Sequence, residues 1–516
     1  MKSDNIVIVG GGTAGWMTAS TLVKLFPKKK ITLIESPNIK TIGVGESTIG
    51  QINQWLSLIG IDAKDFMKEC NATFKFGIRF TDFYRKGSGF YDYPFGKPEY
   101  VDINENNLWY FKKIINPSIK VNDYVDSYFP IMAIINNNKI YDGEELGAFN
   151  FKKDVAYHFD ATKFALWLRD NICLPKVNHI KSEVDKIIHD DNGINSLILN
   201  DGQIIEADLF IDCTGFRSML LGKTMGVDFI SYEDIIPNNC AWATHVDYTD
   251  KEKQLVTYAN CTAIDNGWVW SIPLWNSMGT GYVYSDKYIT DDNALEQFKS
   301  HLKKEGYNID GCKFNKVPFK SGVYKKLFVK NVVAIGLSAG FVEPLESNGL
   351  VTIHEFLEYL SITLDREYIS QWDRDVFSYS CIHTIRNWAE FVAMHYSFSH
   401  RDDTEYWRDI QSRVYDESIY DLSPTISNGF RDAIINRIYD NRFPHDSGIS
   451  CIATGMNWFP MNDKTLKYAN KLKEIDYTQY KLSIKTMDER TKIWDMMVEY
   501  SPSLYEYLKK EVYNEL

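Results

Sequence analysis

The run Asn5-Ile-Val-Ile-Val9 passes without interruption into Gly10-Gly-Gly-Thr-Ala-Gly15, and this junction constrains the fold more than any other feature of the chain. A short apolar run that ends in glycines predicts a buried strand. The apolar-periodic stretch from Trp16 to Phe26 predicts a helix, and Ile31-Thr-Leu-Ile34 predicts a second strand that ends at Glu35. Together they form a βαβ start, with parallel strands and a right-handed connection. Each part of Gly10-x-Gly12-x-x-Gly15 has a mechanical use. Gly10 permits the tight turn, Gly12 lets the backbone approach a pyrophosphate, and Gly15 lets helix and strand pack closely. The helix N-terminus then faces phosphate, and Glu35, twenty residues after Gly15, is placed to accept hydrogen bonds from a ribose hydroxyl. One such fingerprint is present, so one dinucleotide site is expected.

Further strands are expected at 207–212 and 331–335, with tight Asn-Gly and Asp-Gly turns between Glu183 and Gly202. The strands that share one nucleotide-binding sheet therefore lie far apart in the chain, and the intervening segments read as insertions into that domain. From about Thr352 onward the pattern is mostly helical. The expected class is α/β: a Rossmann-like nucleotide-binding box over residues 1–350 with inserted β-sheet segments, then a mostly helical part over 351–516.

Composition narrows the function. The chain has 57 Lys+Arg against 69 Asp+Glu, a formal net charge of −12, which disfavours binding to a nucleic-acid backbone. No apolar run approaches the roughly 20 residues needed to span a bilayer, and the Gly cluster falls where a signal peptide keeps its apolar core. The eight cysteines are scattered without a CxxC pair, which argues against a disulfide scaffold or a structural metal and for the reducing cytoplasm. The 13 Trp, 29 Phe and 32 Tyr belong to a folded chain, and nothing in the sequence excludes a homo-oligomer.

Two later segments carry chemistry. In Gly267-Trp-Val-Trp-Ser-Ile-Pro273, the residues Trp268 and Trp270 share one face of an extended strand. In Phe341-Val-Glu-Pro-Leu-Glu-Ser-Asn-Gly349, an acid and small residues precede the apolar-periodic stretch from Leu350 to Leu360. The backbone N–H groups of Ser347-Asn-Gly349 thus lie at a helix N-terminus, an anion site that needs no cationic side chain. The plain reading is that Ser347 or Asn348 is an N-cap and Glu346 a first-turn acid favoured by the helix dipole. Lys75 sits in Phe74-Lys-Phe-Gly-Ile-Arg-Phe80, where Phe74, Phe76, Ile78 and Phe80 alternate on one strand face. Spacing alone makes Lys75 a solvated lysine on the other face. His158 has no second His or Cys at ligand spacing and reads as structural.

With Gly10 to Met17, Gly43-Val-Gly-Glu-Ser-Thr48, the WxWxIP pattern through Trp268, Trp270, Ile272 and Pro273, and the Phe341 to Gly349 segment, the chain resembles the flavin-dependent halogenases of the tryptophan-halogenase type. The resemblance implies that residues 1–350 are a flavin-monooxygenase-like FAD-binding box and 351–516 a helical substrate-binding (pyramid) module, and it implies reduced FAD, a halide ion (chloride, bromide or iodide), a separate flavin reductase and a small aromatic substrate. Reduced flavin and dioxygen convert halide to hypohalous acid, which halogenates an electron-rich ring. It places FAD along Gly10, Gly12, Thr13, Ala14, Gly15, Glu35, Gly45, Ser47, Val184, Leu337 and Leu350, and halide at Ser347, Asn348 and Gly349. Lys75 falls on the catalytic lysine, which hydrogen-bonds hypohalous acid or becomes a haloamine; the second route needs a neutral amine. Glu346 falls on the catalytic glutamate. Trp268, Trp270, Ile272 and Pro273 form the wall that keeps organic substrate from the flavin. The family usually has Thr where this chain has Asn348, a departure that bears on halide preference.

The substrate region departs further. The aromatic residues that stack on the ring fall on Tyr93, Phe95 and Phe443. The groups that hold the amino-acid head of tryptophan fall on Asp432, Ala433 and Tyr439, with Pro444 beside Phe443. Buried polar groups give the strongest discrimination, so their loss points to indoles, phenols or related arenes without an amino-acid head. Two other readings stand beside halogenation: a flavin monooxygenase that hydroxylates its substrate, and a flavin-binding protein without turnover.

Overall fold

The computed structural model describes residues 1–39, 46–99, 108–143, 146–174, 176–412, 446–457 and 478–515. Strand Asn5–Val9 is the centre of a six-stranded sheet, and the helix Thr13–Leu25 follows the glycines directly. The strands run in the order Phe328–Val329, Val332–Ala334, Leu209–Asp212, Asn5–Val9, Lys30–Glu35, Asn178–Lys181. All pairs are parallel except the antiparallel edge strand Phe328–Val329. The four strands expected from the sequence share this sheet, and their carboxyl ends level at Val9, Ile34 and Asp212. Buried on both faces, they are continuous Ile, Val and Leu runs, as a parallel sheet requires.

Of the four further sheets among the described residues, two carry the strands of Trp268 and Lys75. The larger has seven strands, in the order Asn315–Pro318, Cys240–Val246, Met278–Tyr284, Gly267–Pro273, Tyr258–Ile264, Gly77–Thr81, Phe90–Pro94. The smaller has three: Glu46–Ser47, Ala156–Phe159 and Thr73–Lys75. The single strand expected around Lys75 is therefore two. The chain leaves the small sheet at Lys75 and joins the large one at Gly77, so Phe76 is a junction and strict alternation does not run through it. Arg79 lies between the rings of Phe90 and Tyr258, at 3.8 and 4.2 Å from their centroids, while Lys75 is sealed inside.

Beyond residue 348 the described chain is helical: Gly349–Leu364, Gln371–Ser397, Glu405–Ser412, Asp446–Gly455 and Thr478–Val498. The C-terminal segment returns to the small sheet. Tyr513 stacks on Trp275 with centroids 4.2 Å apart, and its hydroxyl donates to the Ala72 carbonyl at 2.8 Å. No helix among the described residues is long and apolar enough to cross a membrane.

Candidate active site

The carboxyl edge of the parallel sheet forms the nucleotide crevice. Gly10 has φ +117°, and a Cβ there would lie 2.2 Å from the Cys213 carbonyl oxygen; a Cβ on Gly15 would lie 1.9 Å from the Gly10 carbonyl. Both glycines are thus required by the crossing of helix and strands. Gly12 occupies the N-cap position without any side-chain cap, which leaves the first-turn N–H groups open. Thr13, Ala14 and Leu337 gather at the same edge: Thr13 Oγ1 donates to the Ala161 carbonyl, and a Cβ on Gly336, beside Leu337, would sit 2.8 Å from Ala14 Cβ. Glu35 ends its strand with Oε2 2.8 Å from His179 Nε2, and Val184 begins the neighbouring hairpin. An open helix N-terminus, a glycine floor and a terminal acid suit a dinucleotide such as FAD. Gly45 lies outside the described residues.

Lys75 is fully buried, against the solvated position that spacing alone predicted. Its Nζ donates to the Thr48 carbonyl and to Ser347 Oγ, each at 2.9 Å, and lies 4.9 Å from the Phe95 ring centroid. Burial lowers its pKa to about 7, against smaller opposing effects of Cys261 and Glu346. The amine is thus substantially neutral near neutral pH. The sequence signal misled because a three-residue strand at a sheet junction shows no periodicity that reports the burial of its middle.

The loop after Phe341 presents the other half of the site. Pro344–Glu346 is a 3-10 turn, and Ser347 follows it with φ 58°, a left-handed conformation that reverses the chain toward Lys75. Glu346 is therefore not a first-turn helix acid. The helix begins at Gly349, and Asn348 at its N-cap makes no side-chain cap bond; its amide donates instead to the Glu343 carbonyl at 3.3 Å. The N-cap reading is thus replaced by a helix N-terminus without a side-chain cap, the arrangement an anion needs. Leu350 is buried in the first turn. A Cβ on Gly349 would find only Glu46 Oε2, at 3.8 Å, within contact range.

Glu346 is buried and its pKa raised by desolvation. His395 Nε2 lies 2.5 Å from Oε1, and Tyr91 OH lies 2.8 Å from His395 Nδ1, while Oε2 has no partner. Trp268 and Trp270 are both buried on strand Gly267–Pro273 with centroids 6.2 Å apart. Trp268 Nε1 donates to Glu343 Oε1 at 3.1 Å, and Thr73 Oγ1 donates to the Pro273 carbonyl at 2.6 Å. The tryptophan strand, including Ile272, is therefore pinned between the loop of Glu346 and the strand of Lys75.

Next to Phe95, Tyr93 meets Phe391 at 5.9 Å between centroids, and Gly448 fits against both rings. An aromatic wall thus faces the lysine. Phe443, together with Asp432, Ala433, Tyr439 and Pro444, lies outside the described residues. Sequence reading missed Glu343, His395, Tyr91, Asn238 and Tyr396. These come from four separate segments, and only Glu343, inside the quoted loop motif, carried a local signal.

A family model described as tryptophan halogenase matches residues 5–470. The chain is 33% identical over 445 residues to the tryptophan 6-halogenase SttH of Streptomyces toxytricini, covering 81% of this chain and 82% of the relative. Its fold is similar to the apo structure of VirX1, with TM-score 0.90 and 35% identity over 100% of both chains. It is also similar to BrvH, a flavin-dependent halogenase from Brevundimonas sp. BAL3, with TM-score 0.83 and 27% identity over 99% of both chains. Two glycine-opened helix ends, a buried amine and a tryptophan strand on one scaffold agree with these likenesses: the chain belongs to the tryptophan halogenase family and is a flavin-dependent halogenase.

Proposed function

We propose that this halogenase modifies electron-rich arenes without an amino-acid head, such as indoles or phenols, by way of hypohalous acid relayed to Lys75. The observation that supports this most is the Lys75 amine, buried between Thr48 and Ser347 with a pKa of about 7. An amine in that state is a nucleophile toward positive halogen, whereas an exposed lysine is protonated at the same pH. Reduced FAD, supplied by a separate flavin reductase, provides the two-electron activation of dioxygen that turns halide into hypohalous acid.

The chain's residues do the rest in this reading. Gly10, Gly12, Thr13, Ala14 and Gly15 hold the pyrophosphate, Glu35 the ribose, and Gly45, Ser47, Val184, Leu337 and Leu350 the remainder of FAD. The N–H groups of Asn348 and Gly349 hold halide; Ser347 stands beside them, but its own N–H is already donated to the Pro344 carbonyl at 3.0 Å, against the sequence expectation of three donors. Trp268, Trp270, Ile272 and Pro273 keep the arene on the Lys75 side. Tyr93, Phe95 and Phe443 stack on the ring, Lys75 delivers halogen, and the free Oε2 of Glu346 takes the ring proton. The division into an FAD-binding part, 1–350, and a helical substrate part, 351–516, belongs to the same reading.

SttH is by name a tryptophan halogenase, whereas the resemblance puts Asp432, Ala433 and Tyr439 where that family holds the amino-acid head of tryptophan. The test supplies reduced FAD, oxygen and chloride, bromide or iodide with a panel of arenes, and reads product masses. Halide-dependent mass gain is expected, with Lys75→Ala inactive yet still binding FAD. A high kcat/KM for tryptophan with none for simple indoles overturns the substrate class; normal halogenation by Lys75→Ala overturns the relay.

A further inference from the structure

Ala156–Phe159 is the middle strand of the three-stranded sheet. The register sets Ser47 on one side and Thr73 on the other opposite His158, and sets Lys75 opposite Ala156. Paired residues and residues two apart share a face, so Ser47, Thr73, Lys75, Ala156 and His158 line the same one. Ala156 carries only a methyl group. The Lys75 side chain thus has room to cross the middle strand and reach the Thr48 carbonyl, next in sequence to Ser47.

The tautomer of His158 follows from its neighbours. Thr73 Oγ1 gives its one proton to the Pro273 carbonyl, so the contact it makes 3.0 Å from His158 Nδ1 is an N–H donated to it. Burial, reinforced by Lys75, holds the imidazole pKa well below its ordinary value, so the ring is neutral and Nε2 is a bare lone pair. His158 is fully buried and Ser47 is 6% exposed, yet neither Nε2 nor Ser47 Oγ has a partner. A buried acceptor from the sheet face that also carries Lys75, with no protein donor, suits a small O–H donor. A halide ion, itself an acceptor, does not suit it. The O–H donors of this reaction are hypohalous acid and water.

We infer that His158 Nε2 and Ser47 Oγ form the receiving site for hypohalous acid beside Lys75, with Nε2 accepting the hydroxyl hydrogen bond and the halogen end facing Nζ. This rests on the proposal that Lys75 is the acceptor of halogen. The amine lone pair attacks the halogen, the N–X bond forms as O–X breaks, and an amine proton joins the departing hydroxide as water. His158 takes no proton; it orients the acid, and the water formed is again an O–H donor to Nε2.

The test uses two variants that separate the nitrogens. His158→Asn keeps a donor near Nδ1 for Thr73 and loses the distal acceptor, whereas His158→Gln keeps an acceptor near Nε2. One equivalent of hypochlorous acid is added to the flavin-free protein, and thiol-reducible haloamine that is absent from Lys75→Ala is measured. His158→Asn is expected to lose about tenfold of this signal and His158→Gln to restore most of it. In turnover with FAD and reductase, His158→Asn should also leak hypohalous acid to a soluble 1,3-diketone trap. Equal signal in His158→Asn and wild type overturns the inference, as does loss in both variants without leakage. A wild-type signal no larger than that of Lys75→Ala overturns the Lys75 relay instead. If His158→Asn does not fold, Ser47→Ala is loaded with hypochlorous acid in the flavin-free protein, where the place given to Ser47 beside FAD has no part, and unchanged haloamine there overturns the two-residue site.

Discussion

Glu343 and Glu346 stand at the two sides of one turn, both buried, and they are held in opposite ways. Glu343 accepts from Trp268 Nε1 at 3.1 Å, from Asn238 Nδ2 at 2.8 Å and from the Tyr396 hydroxyl, and Asn238 is held in turn by Tyr406. Glu346 uses one oxygen on His395 and leaves the other bare. Desolvation raises both carboxyls, Glu343 to about 7. A carboxyl with both oxygens engaged holds its surroundings in place. One with a free buried oxygen keeps the capacity to take a proton from something that arrives.

The strongest way to break this comparison is to neutralise each acid in turn. Glu346→Gln should lower kcat by roughly 10²–10⁴-fold while Tm stays near that of the parent. Glu343→Gln should keep kcat within about tenfold and cost about 1–3 kcal/mol of stability, because it leaves donors poorly matched. Steady-state rates and thermal unfolding of both variants read this directly, and the reversed pattern would exchange the two roles.

The second effect is a pH dependence with opposite signs on the two sides of the loop. Folded Lys75 releases its proton near 7 and an unfolded lysine near 10.5, so its burial penalty is full below pH 7 and fades as pH rises to 10.5. Lys75→Met should remove that dependence, roughly 5 kcal/mol across the window, in urea unfolding followed against pH. Halogenation by the parent should rise through pH 7 as the amine becomes neutral. For Glu343 the folded group holds its proton to about 7 and the unfolded group to about 4.5, so stability falls between those values as pH rises. Glu343→Gln should remove its share of the slope in that window, where Glu46, Asp126 and Glu355 also titrate near 7, and leave the Lys75 window unchanged.

The smallest expected effect is Trp268→Phe, which removes one donor to Glu343 and little volume. It should cost about 1 kcal/mol and raise the share of reduced flavin lost to hydrogen peroxide without abolishing halogenation. Peroxide yield per flavin oxidised measures it, and an unchanged yield would mean that the indole N–H does not hold the wall.

Much of the nucleotide box was legible because its signals are local. The glycines at 10, 12 and 15, the strands around them and Glu35 lie within one βαβ unit, and backbone sterics fix their relation. The burial of Lys75 was not, because it depends on a change of sheet at Phe76 and on Ala156, Thr48 and Ser347 from distant segments. His158 was read as structural from its isolation among histidines. The structure assigns that role to Nδ1 and leaves Nε2 bare.

Local sequence was enough for the kind of chain: a parallel nucleotide-binding sheet, a helix opening after Asn348, a tryptophan strand and a family resemblance carried by short motifs. Chain stereochemistry sets those features over a few residues. The tertiary structure alone decided protonation and partnership. It determined which of two carboxyls keeps a free oxygen, why a lysine gives up its proton near pH 7, and which imidazole nitrogen is left open. These depend on dielectric surroundings and on donors drawn from segments hundreds of residues apart, which no local pattern encodes.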